Sequence, residues 1–546
     1  MNKYAAIIQQ TVANLLETEQ AVEISRPEPQ FGDLSTNIAL KISKQLGKNP
    51  REIAEQVTDA LRNNPNFAEV NVAGPGFINI RLQDRELFDL ATPESDQNIS
   101  DSTIVIETNN PNPFKAMHIG HALNSITADA IANLLNRTTS RLHRVSYHGD
   151  VGLHVGKSMY ALLDYTDSLP ERLLEVPESE RNSFMSRMYA LGSRAYKEDE
   201  VAKQQIDQLA KQSFDRQDPV YAAIYDTIFD WSFAQIDSVV RRLGNQPTEQ
   251  RFLESQADTL GVRIVRGNVP QVFQESDGAL VFKGSEYGSF DNAFVSSSGL
   301  GLYAARDLGL MQLKNEQFHP DRSYIITAEE QRDYFRGVIA AAGLIWPERA
   351  NQTINISTGT LKLTTGKMSS RDGEVIEIDW LFDQIANAIT ERGGEPTEDI
   401  IAGALRYAFL RVRVGSDIVF DINEAVSIQG NSGPYLQYAH ARACSILAKS
   451  SVESTVQISE LDTNERELVR KIGEYSEVLD KAVTELMPHH ICNYLYELAQ
   501  EFNRFYEKSR IIGDEREALR LHIVELYRST LARGLRVLGI VAPEKM

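Results

Sequence analysis

Ile119, Leu123, Ile126, Ala130 and Leu134 recur every three or four residues, the spacing of one face of an α-helix. They follow closely on TIVIET (Thr103 to Thr108), a short β-branched run of the kind that fills a buried parallel strand. LHRVSYHGD (Leu142 to Asp150) reads as a second strand, and the three elements predict a βαβ unit. Short apolar runs return at RSYIIT (Arg322 to Thr327) and ISTGTLKL (Ile356 to Leu363), consistent with the second half of a doubly wound, Rossmann-like parallel sheet. Residues from about 170 to 255 are polar and helical in character, which predicts a surface insertion in this sheet.

The flanks have different rhythms. Residues 1 to about 85 read as α+β: a helical start, the loop RPEPQFGD, a helical stretch from Thr36 to Leu61, then GPGFINIRL, a glycine turn running into a strand. The polar ATPESDQNISDS (Ala91 to Ser102) resembles a linker, and ERGGEPTED marks a second break. Beyond it Ile491, Leu495, Leu498, Phe502 and Phe505 alternate steps of four and three, as do Leu519, Ile523 and Leu526, so this part should be a helix bundle. The expected organisation is multidomain α/β: an N-terminal α+β domain at 1–90, the sheet domain at 103–392 and an all-α domain at 398–546. A chain of 546 residues is too long for one core, which supports such a division.

Composition narrows the classes. Only Cys444 and Cys492 occur, which excludes a disulfide framework and a thiolate zinc site. No run approaches the roughly 20 apolar residues of a spanning helix, and the N-terminus lacks the basic start and cleavage site of a signal peptide, so a cytoplasmic protein with no membrane association is expected. The net charge of −20 disfavours a polyanionic partner. It is uneven, however: residues 401–546 hold 18 basic and 20 acidic side chains, leaving 38 and 56 to the first 400, so the C-terminal part is the less repulsive place for a nucleic acid.

The chemistry concentrates in two places. His118, Ile119, Gly120 and His121 lie at the turn between the first strand and its helix, where open α/β sheets bind ligands and a helix N-terminus offers N–H donors. Two imidazoles there can donate to ATP phosphate oxygens, and Gly120 lets a flat adenine lie against the backbone. Gly366, Lys367, Met368, Ser369, Ser370, Arg371, Asp372 and Gly373 form a glycine-bracketed basic loop after the late strand, able to bring cations and hydroxyls onto a triphosphate. Either string alone reads more simply as capping histidines or a solvated turn. On the two halves of one sheet they become specific.

HIGH at His118 to His121, with KMSSR at Lys367 to Arg371, resembles the signatures of class I aminoacyl-tRNA synthetases. ETNNPNPFKAMHIGH, YHGDVGLHVG, LYAARDLG, GNSGPYLQYAHARACSIL, the ending LGIVAPEKM and the N-terminal FGDLSTNIAL with GPGFINI are similar to arginyl-tRNA synthetases, and these blocks span nearly the whole chain. The resemblance implies an ATP-dependent arginine-tRNA ligase acting in translation: the carboxylate of L-arginine attacks the α-phosphorus of Mg2+-ATP to give arginyl-adenylate and pyrophosphate, and the terminal adenosine of the tRNA takes the arginyl group. ATP and Mg2+ enter as substrate, and no tightly bound metal or organic cofactor is expected.

The resemblance assigns the site residue by residue. Glu107 and Asp307 become guanidinium acceptors, Tyr303 a neighbouring hydroxyl, and Asn112 with Gln331 the partners of the α-amino and carboxylate end. A permanently charged planar fork suits such carboxylates. TAEEQRDYF around Gln331 departs from the family's more usual pattern. So does Ser370, where a phosphate-binding lysine is usual; arginyl enzymes with this change carry a lysine just before HIGH, and Lys115 fits that place. His118, His121, Lys115 and Lys367 are the expected catalytic group, with Gly120, Met368, Ser369, Ser370 and Arg371 completing the ATP site. The 246 residues from His121 to Lys367 seat no large editing domain, and buried acids left unpaired by a neutral competitor would make editing unnecessary.

The helical domain is the expected anticodon reader, with Tyr435, Tyr438, Arg442, Arg504 and Arg533 as candidate contacts and Phe31 of the N-terminal unit at the tRNA elbow. His440, Lys508, Arg510, Arg528 and Arg536 extend this group. The tRNA for arginine, L-arginine and ATP are the expected partners of a monomeric chain. Two alternatives compete: a zinc hydrolase using His118, His121, His148, Asp150 and His154, and a tRNA-binding paralogue without activity.

Overall fold

The computed structural model describes residues 2–92, 100–364, 376–450 and 460–546. The N-terminal unit is an antiparallel sheet of β1 (Leu34–Thr36), β2 (Phe67–Ala73) and β3 (Phe77–Leu82) in the order β1-β3-β2, with helices Ile38–Leu46 and Pro50–Leu61 packed on it. The stretch expected as one helical run is thus two helices. Gly47 ends the first in the left-handed conformation at φ 62°, and the Asn49 side chain caps the second by accepting the Arg51 N–H at 2.9 Å, with Pro50 in its first turn.

The middle unit holds β4 (Ser100–Glu107), β5 (Thr139–His148), β6 (Gln250–Leu253), a small antiparallel sheet of β7 (Gln274–Ser276), β8 (Ala279–Phe282) and β9 (Asn292–Val295), then β10 (Arg322–Ala328) and β11 (Thr353–Thr358). Five of these form one all-parallel sheet in the order β11-β10-β4-β5-β6. The chain winds outward from β4 in both directions, so the strand order reverses between β4 and β10. Their carboxyl ends, at Glu107 and Ala328, flank the crevice where doubly wound sheets take ligands. The helix Ile119–Leu135 leaves that crevice and buries Ile119, Leu123, Ile126, Ala130 and Leu134, each large side chain contributing roughly 1.5–3 kcal/mol.

Two expectations need correction. Residues 170–255 are not only a surface insertion: β6 is the edge strand of the sheet, and helix Pro219–Arg242 buries Phe233, Ile236 and Val239 in the main core while carrying the chain back to it. Only the helices Arg181–Glu198 and Glu200–Gln212 lie outside, against Leu153–Thr166. ISTGTLKL is not one strand either. It breaks at Gly359, where a Cβ would stand 2.1 Å from the Ser416 carbonyl oxygen, and continues as β12 (Leu361–Leu363), paired with β13 (Ile418–Phe420).

The C-terminal helices Gly433–Leu447, Thr463–Ile472, Tyr475–Glu485, His489–Lys508 and Glu517–Val537 pack around Ile491, Leu495, Leu498, Phe502, Ile523 and Leu531. The N-terminal unit is clamped to this bundle by Arg26–Glu477 at 2.7 Å and by Arg466, which pairs with both Asp33 and Asp84. The fully buried Arg406 ties the bundle to the sheet: it pairs with Asp129 of the Ile119–Leu135 helix at 2.7 Å and donates to the carbonyls of Leu243 at 2.9 Å and Leu538 at 2.8 Å.

Candidate active site

The turn after β4 is held from below. Phe114, fully buried, takes φ 65°, a left-handed conformation costing a β-carbon residue about 1–2 kcal/mol. Its N–H donates to Ser232 Oγ at 3.1 Å and its carbonyl accepts from Ser158 Oγ at 2.7 Å. This presents Lys115 to the crevice, where burial lowers its pKa against the opposing pull of Glu254. His118 stands at the N-cap position of the next helix and His121 one turn in, their rings stacked 3.6 Å apart. The His118 N–H donates to His121 Nδ1 at 3.2 Å, which fixes the proton of the neutral His121 ring on Nε2. Burial and then Lys115 lower the His118 pKa to about 4, while burial, His118 and Lys115 hold His121 well below its usual value. Both rings are therefore neutral donors at pH 7. A Cβ at Gly120 would press on the His118 ring at 3.1 Å, so the glycine makes room for the histidine itself.

Lys367, Met368, Ser369, Ser370 and Arg371 lie outside the described residues. Both flanks of their segment reach the same helix. Thr358, at the end of β11, donates to Asn124 Oδ1 at 2.6 Å. On the other side Ile119 N–H donates to the Ile376 carbonyl at 3.0 Å and Ile378 N–H to that of Met117 at 3.1 Å, an antiparallel bridge that includes His118 and Glu377.

The second half of the site is a cluster of acids from the end of β4, the start of the helix after β6 and helix Tyr303–Phe318. Tyr303, Asp307 and Lys314 lie on one face of helix Tyr303–Phe318, at steps of four and seven. Glu107, almost fully buried, accepts Lys314 Nζ at 2.8 Å on one oxygen and Asn110 Nδ2 at 2.8 Å on the other. Glu254 pairs with Arg306 at 2.7 Å, and Arg306 is further held by Asp258 at 2.9 Å and the Gly301 carbonyl at 3.0 Å. Asp307 has only the Tyr334 hydroxyl, at 2.5 Å, as a hydrogen-bond partner among the described residues. Burial first, opposed by that hydrogen bond and reinforced by Glu107 and Glu254, raises its pKa from 3.8 to about 7. Asn112 Oδ1 accepts the Gly149 N–H at 2.8 Å, Tyr303 is exposed at the cleft, and Gln331 is exposed just past the carboxyl end of β10.

The YHGDVGLHVG block serves this scaffold. His148 Nδ1 meets the Pro111 carbonyl at 2.6 Å, His154 Nε2 that of Gly149 at 2.7 Å, and Asp150 accepts the Ser255 N–H at 2.9 Å and hydroxyl at 2.6 Å. These contacts leave the zinc alternative without ligands: among the described residues no three His, Cys, Asp or Glu side chains are placed to hold a metal ion.

The candidate tRNA contacts divide. Phe31 and Tyr438 expose much of their rings. Arg442 lies 4.0 Å over the Tyr506 ring, Arg504 pairs with Glu501, and Arg533 lies 4.9 Å over Tyr475. Tyr435 is buried, with its hydroxyl accepting Asn503 Nδ2 at 2.9 Å, and His440 is buried against the Pro543 carbonyl at 2.8 Å, so these two pack the bundle and offer no surface for stacking.

Residues 89–406 match the family model for tRNA synthetases class I (R), catalytic domain. The chain belongs to the class I arginyl-tRNA synthetase family. That family couples ATP to the attachment of arginine to tRNA. The Arginyl tRNA synthetase N terminal domain matches residues 2–82, and the DALR anticodon binding domain matches 436–546. The chain is 28% identical over 97% of its length to an arginine–tRNA ligase of Shewanella sp. (strain MR-7), covering 96% of that protein. In fold it is similar to the arginyl-tRNA synthetases of Thermus thermophilus (TM-score 0.80, 23% identity, 100% of both chains) and Plasmodium falciparum (0.77, 19%, 100% of this chain and 99% of that one). Among the described residues no helix is long and apolar enough to cross a membrane.

Sequence reasoning missed four members of this acid cluster: Glu254, Arg306, Lys314 and Tyr147. The Tyr147 hydroxyl is buried without a hydrogen-bond partner among the described residues, and Asp307, Glu254 and Glu107 all add to the burial that raises its pKa. Lys314 was accessible, since it falls on the face of the helix that carries Tyr303 and Asp307. Glu254 and Arg306 needed the position of β6, which its four-residue sequence does not announce.

Proposed function

We propose that this chain is an arginine-tRNA ligase whose adenylation centre is the crevice between β4 and β10, with the guanidinium of L-arginine received by Asp307. The observation that carries this reading is the charge state of the acid cluster. Glu107 and Glu254 each have a cationic side chain bonded to them, whereas Asp307 has a hydroxyl only, at a cost that a bound guanidinium would relieve. Glu107 supplies its remaining lone pairs to the same fork, Tyr303 covers it, and Asn112 with Gln331 orient the α-amino and carboxylate groups.

In this reading ATP enters as its magnesium complex over the turn at His118. One carboxylate oxygen of arginine attacks the α-phosphorus, the bond to the β-phosphate bridging oxygen breaks, and pyrophosphate leaves with the electron pair. His118 and His121, as neutral donors, and Lys115, with Lys367 and its neighbours Met368, Ser369, Ser370 and Arg371, stabilise the charge that develops. The terminal ribose hydroxyl of tRNA, the 2′-hydroxyl in class I enzymes, then attacks the arginyl carbonyl and AMP departs. The helical domain at 398–546 reads the anticodon, with Tyr438, Arg442, Arg504 and Arg533 at its contacts and Phe31 at the elbow. The enzyme works as a monomer in the cytoplasm.

ATP–pyrophosphate exchange measured with each amino acid, with and without tRNA, tests this. Exchange is expected with arginine alone among them, and to depend on tRNA as the family resemblance implies. Tight tRNA binding without exchange or charging would instead establish the inactive paralogue.

A further inference from the structure

The acid cluster contains more negative charge than one substrate cation can satisfy. Glu107, Glu254 and Asp307 bring three carboxylates, and Asp307 responds electrostatically to both others. Two are matched internally: Arg306 bonds Glu254 at 2.7 Å, and Lys314 bonds Glu107 at 2.8 Å with both side chains almost without exposure. Asp307 is the one of the three with no cation bonded to it among the described residues. Arg306 also carries Asp258 and the Gly301 carbonyl, so it has a structural task besides Glu254. Lys314 has Glu107 as its only hydrogen-bond partner among the described residues, and a buried ammonium with that single partner is costly to keep. Its place two helical turns beyond Asp307 turns it toward the same acids.

We propose that Lys314 is a specificity-determining, positioning residue for the arginine pocket: it is the fixed counter-charge of Glu107, so that of Glu107, Glu254 and Asp307 it is Asp307 that stays without a bonded cation and is left to meet the cationic side chain of the substrate. The inference rests on the reading of Asp307 as the guanidinium receptor. Lys314 does not touch substrate; it acts through Glu107, whose orientation it holds, and through its field on Asp307. The groups facing Asp307 are Tyr334 from helix Arg332–Ile345, Glu107 from β4, Glu254 from helix Glu254–Gly267, Tyr147 from β5 and Lys314 from its own helix. Of these Lys314 is the one whose charge lowers the Asp307 pKa, and Glu107 and Glu254 raise it.

Removing Lys314 therefore has a signed consequence. In Lys314→Met the cation that lowers the Asp307 pKa is gone, so Asp307 holds its proton to higher pH. Arginine must displace that proton, so its KM at pH 7 should rise about tenfold and recover above about pH 9, the acid limb moving up by at least one pH unit. The KM for ATP should stay within about twofold, and packing damage would not be repaired by alkali. If Lys314→Met does not fold, the double variant Lys314→Met/Glu107→Gln removes the pair as a neutral unit. It takes from Asp307 the opposing fields of Lys314 and Glu107 together, so its acid limb should lie at the wild-type pH even though losing Glu107 as an acceptor raises KM at every pH.

The assay is arginine-dependent pyrophosphate exchange with tRNA present, from pH 6 to 9.5. A KM profile of Lys314→Met that superimposes on the wild type, a loss independent of pH, or a double variant with a displaced limb each overturns the proposal. Failure of the underlying reading looks different: the wild type itself would show no arginine-dependent exchange, or exchange indifferent to Asp307→Asn.

Discussion

Replacing Asp307 by Asn keeps shape and hydrogen bonding but removes a carboxylate that, among the described residues, has a hydroxyl and no cation bonded to it. Two effects of opposite sign follow. In the free protein, a carboxyl raised from 3.8 to about 7 holds a proton that the unfolded chain has already released, so ionising it works against folding. The penalty is absent below about pH 4, grows as pH climbs toward 7 and is constant above it. Taken in full it is about 4 kcal/mol; Asp307 keeps part of its surface open, and screening there reduces it to roughly 1–2 kcal/mol. Asp307→Asn should therefore be more stable than the wild type by that amount at pH 8 and equal to it near pH 4, as read by urea unfolding at the two pH values. For catalysis the change deletes a charged hydrogen-bond acceptor for guanidinium, about 2–3 kcal/mol, or roughly 30- to 150-fold in kcat/KM for arginine. The wild-type KM should rise towards tenfold for each pH unit below 7, because the protonated acid cannot receive the cation, while the variant is flat there. A variant that is less stable at pH 8, or that keeps normal kcat/KM for arginine, would refute the reasoning.

Three further outcomes are expected. Tyr147→Phe removes a buried hydroxyl that has no partner among the described residues, so melting temperature should hold or rise while arginine KM increases about tenfold; a loss of stability without a change in KM would make that hydroxyl structural. His118→Ala should lower kcat in pyrophosphate exchange by about 10²–10³ with little effect on arginine KM. Because its pKa lies at about 4, no acid limb between pH 6 and 7 should disappear with it. Arg406→Met leaves buried Asp129 with only Arg144, at 3.7 Å, as its cation and should cost about 3 kcal/mol in chemical denaturation; a change below 1 kcal/mol would show that the pair is dispensable.

The central βαβ unit was legible because its strand is short, β-branched and buried on both faces, and its helix repeats at 3.6. The helix division at Gly47 and the end of β11 at Gly359 were harder, since each depends on a glycine whose role is set by conformation or by a distant backbone, as with Ser416. The edge strand β6 was illegible: QRFL is four residues long and half polar, and only pairing with Val145 to His148 makes it a strand. At the site, motif resemblance pointed to Glu107, Asn112, Tyr303, Asp307 and Gln331, but which acid has a partner is a property of three dimensions. Tyr435 shows the reverse case, a surface-looking polar-aromatic block that turns one tyrosine into the bundle core.

The pairing of Arg406 with Asp129 spans 277 residues, and its Nε reaches the Leu538 carbonyl. On the ribosome the helix that begins after His118 emerges on the order of 15–55 s before the closer of its two arginine partners, at ordinary elongation rates. Until then Asp129 has only Arg144, at 3.7 Å, as its cation, and the nucleotide-binding half cannot fully seal its interior. An excised fragment ending near residue 392 should accordingly remain loose at that helix, so maturation of the adenylation centre waits on synthesis of the tRNA-reading half.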